Sequence, residues 1–363
     1  MLASSLYDFS GIANSIHKLI STNFSPPWIT IIEWSLIGIS LILFVAVLVM
    51  VLVYIERKVA AFFQLRLGPM RVGPWGLLQT VADFIKLLMK EHITSKKADK
   101  FLFNLAPFII VTAAFLGIGA IPFALGLHIF DINIGVFYIT AVSSIGVLGI
   151  LLGGWAGNNK YSLIGALRSG AQVISYELSI VLSLLVIVVL AGSLQLSEII
   201  ASQETGWWIF RGHVPVWIAF IIFLIAGTAE TNRGPFDLAE AESELTAGYH
   251  TEYTGIKFAM FFLAEYVALF IIAAVGATVF FGGWLPFHIG TWQAFNGIMD
   301  YIPPIVWFFG KVSMIIGIIM WFKWTFPRLR IDQLLILEWK YLLPINLFNL
   351  LLVSFITLMG WYF

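Results

Sequence analysis

Residues 31–55 read IIEWSLIGISLILFVAVLVMVLVYI and carry a single charged side chain, Glu33. A helix needs about 20 apolar residues to cross the hydrocarbon core of a bilayer, so this stretch is long enough to span it. Further apolar runs follow at about 104–123, 134–154, 176–194, 215–232, 258–282, 305–322 and 342–362. The pattern predicts an all-α polytopic membrane protein of about eight transmembrane helices, with both chain ends on one side.

The composition agrees with a membrane protein and excludes several kinds of site. Of 363 residues, 60% are hydrophobic and 11% are charged, whereas soluble domains are about 45–50% apolar and about 25% charged. The chain has no cysteine, which excludes disulfides, thiolate metal sites and iron–sulfur ligation. Its six histidines are scattered, so we expect no haem, metal or other redox centre. The net charge of zero argues against nucleic acid as a partner.

The basic residues predict the orientation of the chain. Outside the spans they fall almost entirely in the odd-numbered connections, and only Lys18 and Arg211 lie on the other side. By the positive-inside rule, the odd connections face the cytoplasm or matrix and both termini face outward. We therefore expect one integral membrane domain over residues 1–363, with cytoplasmic loops at about 56–103, 155–175, 233–257 and 323–341. No cleaved signal peptide is expected, and a bacterial plasma (cell inner) membrane is preferred over the mitochondrial inner membrane.

An amphipathic segment follows the first span. In residues 77–91, LLQTVADFIKLLMKE, the leucine, valine and isoleucine side chains share one helical face and the charged side chains share the other. This spacing predicts a helix that lies in the membrane interface. Its plainest role is to anchor the loop.

Carboxylates are concentrated in residues 229–255, AETNRGPFDLAEAESELTAGYHTEYTG. If PFDLAEAESEL is helical, Asp237, Glu240 and Glu244 share a face; a solvated acidic face is the plain alternative. Other carboxylates, among them Glu177 and Glu265, lie beside or within spans, where a charge costs about 2.5–3.5 kcal/mol. We expect a coupled set of carboxylates that exchange protons near neutral pH, with Lys311 as a candidate partner.

Four strings carry a resemblance to a known family: IERKVAAFFQLRLGPMRVGPWGLLQTVADFIKLLMKE, RSGAQVISYELS, the acidic stretch above, and RLRIDQLLILEWKYLLP. Over about residues 30–360 the chain resembles the proximal membrane subunits (type 1 or H) of respiratory complex I, the proton-pumping NADH:quinone oxidoreductases. The string ETNR.PFDL.E.E.EL is long and highly specific to them.

The resemblance implies a function in a larger complex. Such a subunit is part of a proton-translocating enzyme but has no complete active site and no cofactor of its own. Its partners are the other complex I subunits, the lipid bilayer and membrane quinone as substrate, with NADH, FMN and iron–sulfur clusters held by the peripheral subunits. It forms much of the quinone access chamber and couples quinone reduction to proton translocation.

The resemblance also assigns residues to these tasks. It places a quinone-chamber and docking set at Arg57, Arg66, Asp83, Arg233, Arg328 and Arg330. It places a proton path at Glu56, Glu177, Glu230, Asp237, Glu240, Glu242, Glu244 and Glu252. It identifies neither a ubiquinone or menaquinone preference nor the electron donor.

The sequence departs from the family pattern at three positions. Thr80 stands where we expect proline, Ala239 varies within the acidic motif, and Glu338 replaces an uncharged residue. For Glu338 we expect a simple ion pair with Lys340. The alternative to a complex I subunit is a membrane subunit of a related hydrogenase or ion-transporting complex. A purely structural anchor leaves the buried carboxylates unexplained.

Overall fold

The computed structural model describes residues 10–23, 25–239, 242–288 and 292–360. Regular structure in these residues is helical, apart from an isolated bridge between Ala124 and Leu127. Eight helical segments are long and apolar enough to span a membrane: α2 (Pro26–Phe63), α4 (Lys100–Gly119), α5 (Gly135–Ala156), α6 (Lys160–Ala191), α9 (His213–Glu230), α11 (Ile256–Phe281), α13 (Pro304–Thr325) and the composite Ile331–Leu358. The prediction of an all-α polytopic membrane protein is confirmed.

Short helices precede the first span and connect the others. They are α1 (Ser10–Asn23), α3 (Gln79–Met89), α7 (Leu196–Ala201), α8 (Trp208–Arg211), α10 (Glu242–Leu245) and α12 (Gln293–Asp300), together with 3-10 turns at Pro74–Gly76 and Gly248–His250. Helix α3 coincides with the predicted amphipathic segment, and its apolar side chains Val81, Ile85 and Leu88 are exposed. Exposed apolar side chains along one face are typical of a helix at a membrane surface.

Helix α11 lies at the centre of the bundle. Every residue from Leu269 to Phe281 is buried, which is typical of a helix that is apolar on all sides. It packs against α4 and α13, while α6 packs against α5 and α9. Helix α2, by contrast, is at the periphery and exposes most of its apolar side chains.

The fourth span, α6, begins at Lys160. This is 16 residues before residue 176, where the apolar run predicted its start. Asn159 caps α6 by accepting the backbone N–H of Tyr161, and several polar side chains of the added turns, among them Ser162 and Gln172, are buried and donate hydrogen bonds. Ser162 donates to the carbonyl of Tyr249 at 2.8 Å, and Gln172 donates to those of Ala229 and Phe236 at 2.7 and 2.8 Å. Hydropathy misses these turns because their polar groups are satisfied by the protein instead of by water.

The last span also begins early. It consists of α14 (Ile331–Ile336), a π-helical turn (Leu337–Leu342) and α15 (Leu343–Leu358). Pro344, in the first turn of α15, has no N–H to donate to the preceding turn. The wider π turn accommodates this loss, and such turns are frequent at functional sites.

The helix predicted over PFDLAEAESEL is wrong for its first half. Phe236 to Ala239 are not helical, and of the residues described in this stretch the helical ones are Glu242–Leu245. The carbonyls here bond elsewhere: that of Pro235 accepts the N–H of Leu329 at 3.1 Å, and that of Phe236 accepts Gln172. Asp237 therefore does not share a helical face with Glu244, and Glu240 lies outside the described residues.

Candidate functional site

Four charged side chains meet at the end of the bundle where the acidic segment lies. Arg233, which follows α9, donates to Glu56 of α2 and lies 3.3 Å from a carboxylate oxygen of Glu265 on α11. Lys323 of α13 donates to the other oxygen of Glu56 at 2.6 Å. We call Glu56, Arg233, Glu265 and Lys323 the four-charge cluster. It holds two charges of each sign, so burial does not leave a net charge in the interior.

Arg233 is the central member of this cluster. Its side chain is 1% exposed, and its guanidinium lies 4.4 Å from the ring centroid of Tyr266. Burial by itself would lower the pKa of Arg233, but the carboxylates of Glu265 and Glu56 raise it above the usual value. The guanidinium is a permanent positive charge held between two helices.

A cavity of about 110 Å³ begins beside the cluster. It lies between α4, α5, α6, α9 and α11, and most of its lining is apolar, but the carboxyl groups of Glu177, Glu230 and Glu265 face it. Glu265 therefore belongs both to the cluster and to the cavity wall. The volume leaves room for several water molecules, and polar groups on the wall give those waters partners.

The other two carboxyl groups contact hydroxyls. Ser144 donates to Glu177, and Ser143 lies within hydrogen-bonding reach of Glu230. Among the residues that the structure describes, neither Glu177 nor Glu230 forms an ion pair. An ionised carboxylate in apolar surroundings without a cation is costly, and in both groups a serine hydroxyl takes the place of a cation as the polar partner.

Three ion pairs surround this end of the bundle. Arg328 binds Asp237 at 2.8 Å, Arg168 binds Glu244 at 2.7 Å, and Arg57 binds Asp83 at 2.5 Å. Burial would raise the pKa of Asp83, but the hydrogen bond from Arg57 holds it below its usual value. The hydrogen bond from Arg168 likewise lowers the pKa of Glu244. These two carboxylates are held ionised.

The remaining predicted site residues lie apart from the cavity. Glu252 accepts a hydrogen bond from Asn159 at 2.7 Å, Arg66 donates to Gln64 at 2.6 Å, and Arg330 is exposed at the start of α14. Glu240 and the side chain of Glu242 are outside the described part of the chain. The structure thus brings Glu56, Glu177, Glu230 and Arg233 to one site and places the other described residues around it.

Two members of the site, Glu265 and Lys323, were absent from the residues that the family resemblance assigned. Glu265 had the signal of a carboxylate inside an apolar span, and Lys323 stands at the end of one. Lys311, the candidate partner of Glu177 or Glu265, is wrong in that role. Its ammonium group donates to the carbonyls of Phe281, Gly283 and Leu285 at 2.6–2.8 Å, at the opposite end of the bundle.

The expected ion pair between Glu338 and Lys340 is also wrong. Glu338 is fully buried and accepts a hydrogen bond from Ser179, whereas Lys340 is exposed and its ammonium lies 5.8 Å from the ring centroid of Tyr341. The two side chains diverge because they stand two residues apart on a helical turn. Within the described residues, no group of three or more His, Asp or Glu side chains is arranged to hold a metal ion.

Comparison with known proteins agrees with the resemblance noted from the sequence. The family model described as NADH dehydrogenase matches residues 37–354. The chain is 56% identical to the NADH-quinone oxidoreductase H subunit of Bacteroides thetaiotaomicron, over 99% of this chain and 100% of that protein. It is 49% identical to the corresponding H subunit of Brevibacillus brevis, over 92% of this chain and 96% of that protein. The chain therefore belongs to the NADH dehydrogenase family, alongside the H subunits of bacterial NADH-quinone oxidoreductases.

Proposed function

We propose that this chain, a membrane subunit of a complex I, forms much of the quinone access chamber and couples quinone reduction to proton translocation through its carboxyl groups. The observation that carries the proposal is the cavity shared by Glu177, Glu230 and Glu265, since Glu265 also pairs with Arg233 in the four-charge cluster. Through Glu265, the proposed proton-binding cavity inside the bundle is joined to the four-charge cluster at the end of the bundle.

The cluster supplies a way to transmit charge. Reduction of a quinone takes up two electrons and two protons, and negative charge that forms before the protons arrive attracts nearby cations. Lys323 and Arg233 both bind Glu56, so movement of either cation changes the pairing of that carboxylate. Glu265 then gains or loses the attraction of Arg233, and its proton affinity changes with it. The next carboxyl groups on the proposed path after Glu265 are those of Glu177 and Glu230 in the cavity wall.

The loop between α2 and α3 supports a role in quinone access. Leu65 is 97% exposed, and Leu67 and Trp75 are exposed as well. Leu65, Gly73 and Gly76 have positive φ angles, which hold the loop in tight turns. A Cβ on Gly76 would stand 2.2 Å from the carbonyl oxygen of Pro69, so the loop is closely folded on itself. A defined loop with exposed apolar side chains suits contact with an isoprenoid tail or a partner subunit.

The charge distribution gives the proposed orientation. The four-charge cluster, the loop after α2 and the outer ion pairs lie at the end that carries most basic residues, so this end faces the cytoplasm and the termini face outward. The peripheral subunits, which hold NADH, FMN and the iron–sulfur clusters, dock there; the neighbouring membrane subunits pack against exposed apolar helices. The relatives are bacterial, and the chain is a multi-pass protein of the plasma membrane.

The test is Glu177→Gln in the assembled complex. Gln keeps the shape and the contact with Ser144 but binds no proton, so NADH-to-quinone turnover should fall on the order of tenfold or more, equivalent to about 1.4 kcal/mol. NADH oxidation by a water-soluble artificial acceptor should be unchanged, because that reaction bypasses the membrane subunits. Glu198→Gln, in α7 at the opposite end, changes an exposed carboxylate and serves as the control.

The two assays separate coupling from assembly. Loss of both activities in E177Q would indicate a failed complex and argue against a specific role of the cavity. Full quinone turnover and full proton pumping in E177Q would refute the proposed path.

A further inference from the structure

A second buried carboxyl group lies outside the site described above. Glu338 stands on the π-helical turn between α14 and α15 and is 0% exposed. Ser179 of α6 donates to its Oε1 at 2.5 Å. No ion pair of Glu338 occurs among the described residues, and Lys340 faces away from it. The carboxyl is thus held by a neutral hydroxyl within the membrane-spanning region.

Glu338 belongs to a small polar cluster between α6 and α15. Asn346 is also 0% exposed, and its amide nitrogen donates to the carbonyl of Ser179 and to the hydroxyl of Ser183, both at 2.8 Å. Oε2 of Glu338 and Oδ1 of Asn346 are buried and have no hydrogen-bond partner in the described structure. Both orphaned atoms are acceptors, so the cluster lacks donors.

In the described part of the chain, no ion pair compensates a negative charge on Glu338. On α6, the titratable side chain of Tyr176 donates its hydroxyl to the carbonyl of Leu334. Glu177 lines the cavity on the other side of α6. Glu177 and Ser179 are two positions apart, and such residues on a helix point about 200° apart. Asp332 of α14 is exposed, and α15 carries no charged residue. Farther along α6 are Arg168, which binds Glu244, and Lys160 and Tyr161 at its start. Tyr341 on the π turn and Arg330 at the start of α14 are exposed. His213 and Glu230 stand at the two ends of α9.

We propose that Glu338 is an exchangeable proton-binding group inside the membrane, held by Ser179 and separated from the carboxylate cavity by α6. A proton on Oε2 makes the group neutral and converts an orphaned acceptor into a donor. Oε1 remains the acceptor of the Ser179 hydroxyl. The proposal goes beyond the proposed function, since Glu338 lies outside the chain of carboxyl groups that meets the four-charge cluster.

The test is infrared spectroscopy of the complete complex at neutral pH, comparing the wild type with Glu338→Gln. We expect the wild-type-minus-E338Q spectrum to contain the C=O stretch of a protonated carboxylic acid. This band should move to lower frequency after equilibration in D2O, because the bound proton exchanges. Glu204→Gln, at an exposed position in the turn after α7, is the control and should leave the protonated-acid band in place.

A second variant keeps the proposal testable if E338Q does not assemble. Ser179→Ala retains Glu338 but removes the hydrogen bond to its carbonyl oxygen, so the acid C=O band should move to higher frequency. Carboxylate bands alone in the E338Q difference spectrum, a band that does not respond to D2O, or a spectrum unchanged by S179A would each overturn the proposal. E177Q has no part in these spectra, so failure here is distinguishable from failure of the proposed function.

Discussion

Removing the positive charge of Arg233 should show how much the four-charge cluster contributes to the stability of the fold. Arg233 is buried and binds Glu56 and Glu265, whereas Lys323 is partly exposed and binds Glu56 alone. Arg233→Met leaves Glu265 without its described ion pair. Breaking a buried pair from one side costs about 3–5 kcal/mol, since the remaining charge stays desolvated. We expect a loss of stability in that range for R233M.

Two further variants distinguish electrostatics from lost packing. Lys323→Met leaves Glu56 with Arg233 and removes a partly solvated pair, so it should cost only about 1 kcal/mol. The double variant R233M/E265Q removes the uncompensated carboxylate as well, and should recover about 1–3 kcal/mol relative to R233M. The side chain of Arg233 also covers Tyr266, and that contact is lost equally in R233M and in the double variant.

The assay is the thermal unfolding midpoint of the complex in mild detergent, together with the amount of folded chain recovered from membranes. The expected order of stability is wild type, K323M, R233M/E265Q and then R233M. The reasoning is refuted if R233M is no less stable than K323M, or if the double variant is less stable than R233M.

Three other perturbations test separate parts of the structure. Burial lowers the pKa of His250 from 6.5 to about 4; the unfolded chain therefore binds a proton that the folded chain does not, and stability should fall by about 3 kcal/mol as pH decreases from about 6.5 to about 4. His250→Gln should abolish this slope in pH-dependent unfolding. Gly154→Val places a Cβ 2.2 Å from that of Ala166 and should cost about 3 kcal/mol or more, whereas Gly146→Val, with no atom within 4 Å of its Cβ position, should change the unfolding midpoint little. Asp99→Ala removes a side chain that accepts two backbone N–H groups at the start of α4 and should cost about 1 kcal/mol; Asp99→Asn, which keeps an acceptor oxygen, should restore most of it.

The membrane fold was predictable because one signal decides it. Long apolar runs identify spans regardless of how they pack, as the segment from Ile31 to Ile55 illustrates. The failures occur where packing satisfies polar groups. Ser162 and Gln172 make the first turns of α6 look like a loop, and Pro344 hides the continuity of the last span.

The candidate site was predictable in its residue types but not in its pairings. Carboxylates in a chain of low charge point to function, and Glu177 and Glu230 do share one cavity with Glu265, which pairs with the same arginine as Glu56. Arg233 and Glu56 are 177 positions apart, however, and no local pattern records a contact over that separation. For the same reason, the short separation of Lys340 and Glu338 in the sequence did not predict the partner of Glu338. Residues two positions apart on a helical turn point in different directions.

The position of the contact between Ser144 and Glu177 has an electrical consequence. Ser144 lies close to the midpoint of α5, which spans Gly135 to Ala156. On the proposed proton path, a proton that travels from the end of the four-charge cluster to Glu177 would therefore cross about half of the membrane field. Moving a full charge across 100 mV is worth about 2.3 kcal/mol, so half the distance is worth about 1.2 kcal/mol, or roughly a sevenfold change in proton occupancy. If the proposed path is correct, the protonation of this one carboxyl group depends on the voltage that the complex builds.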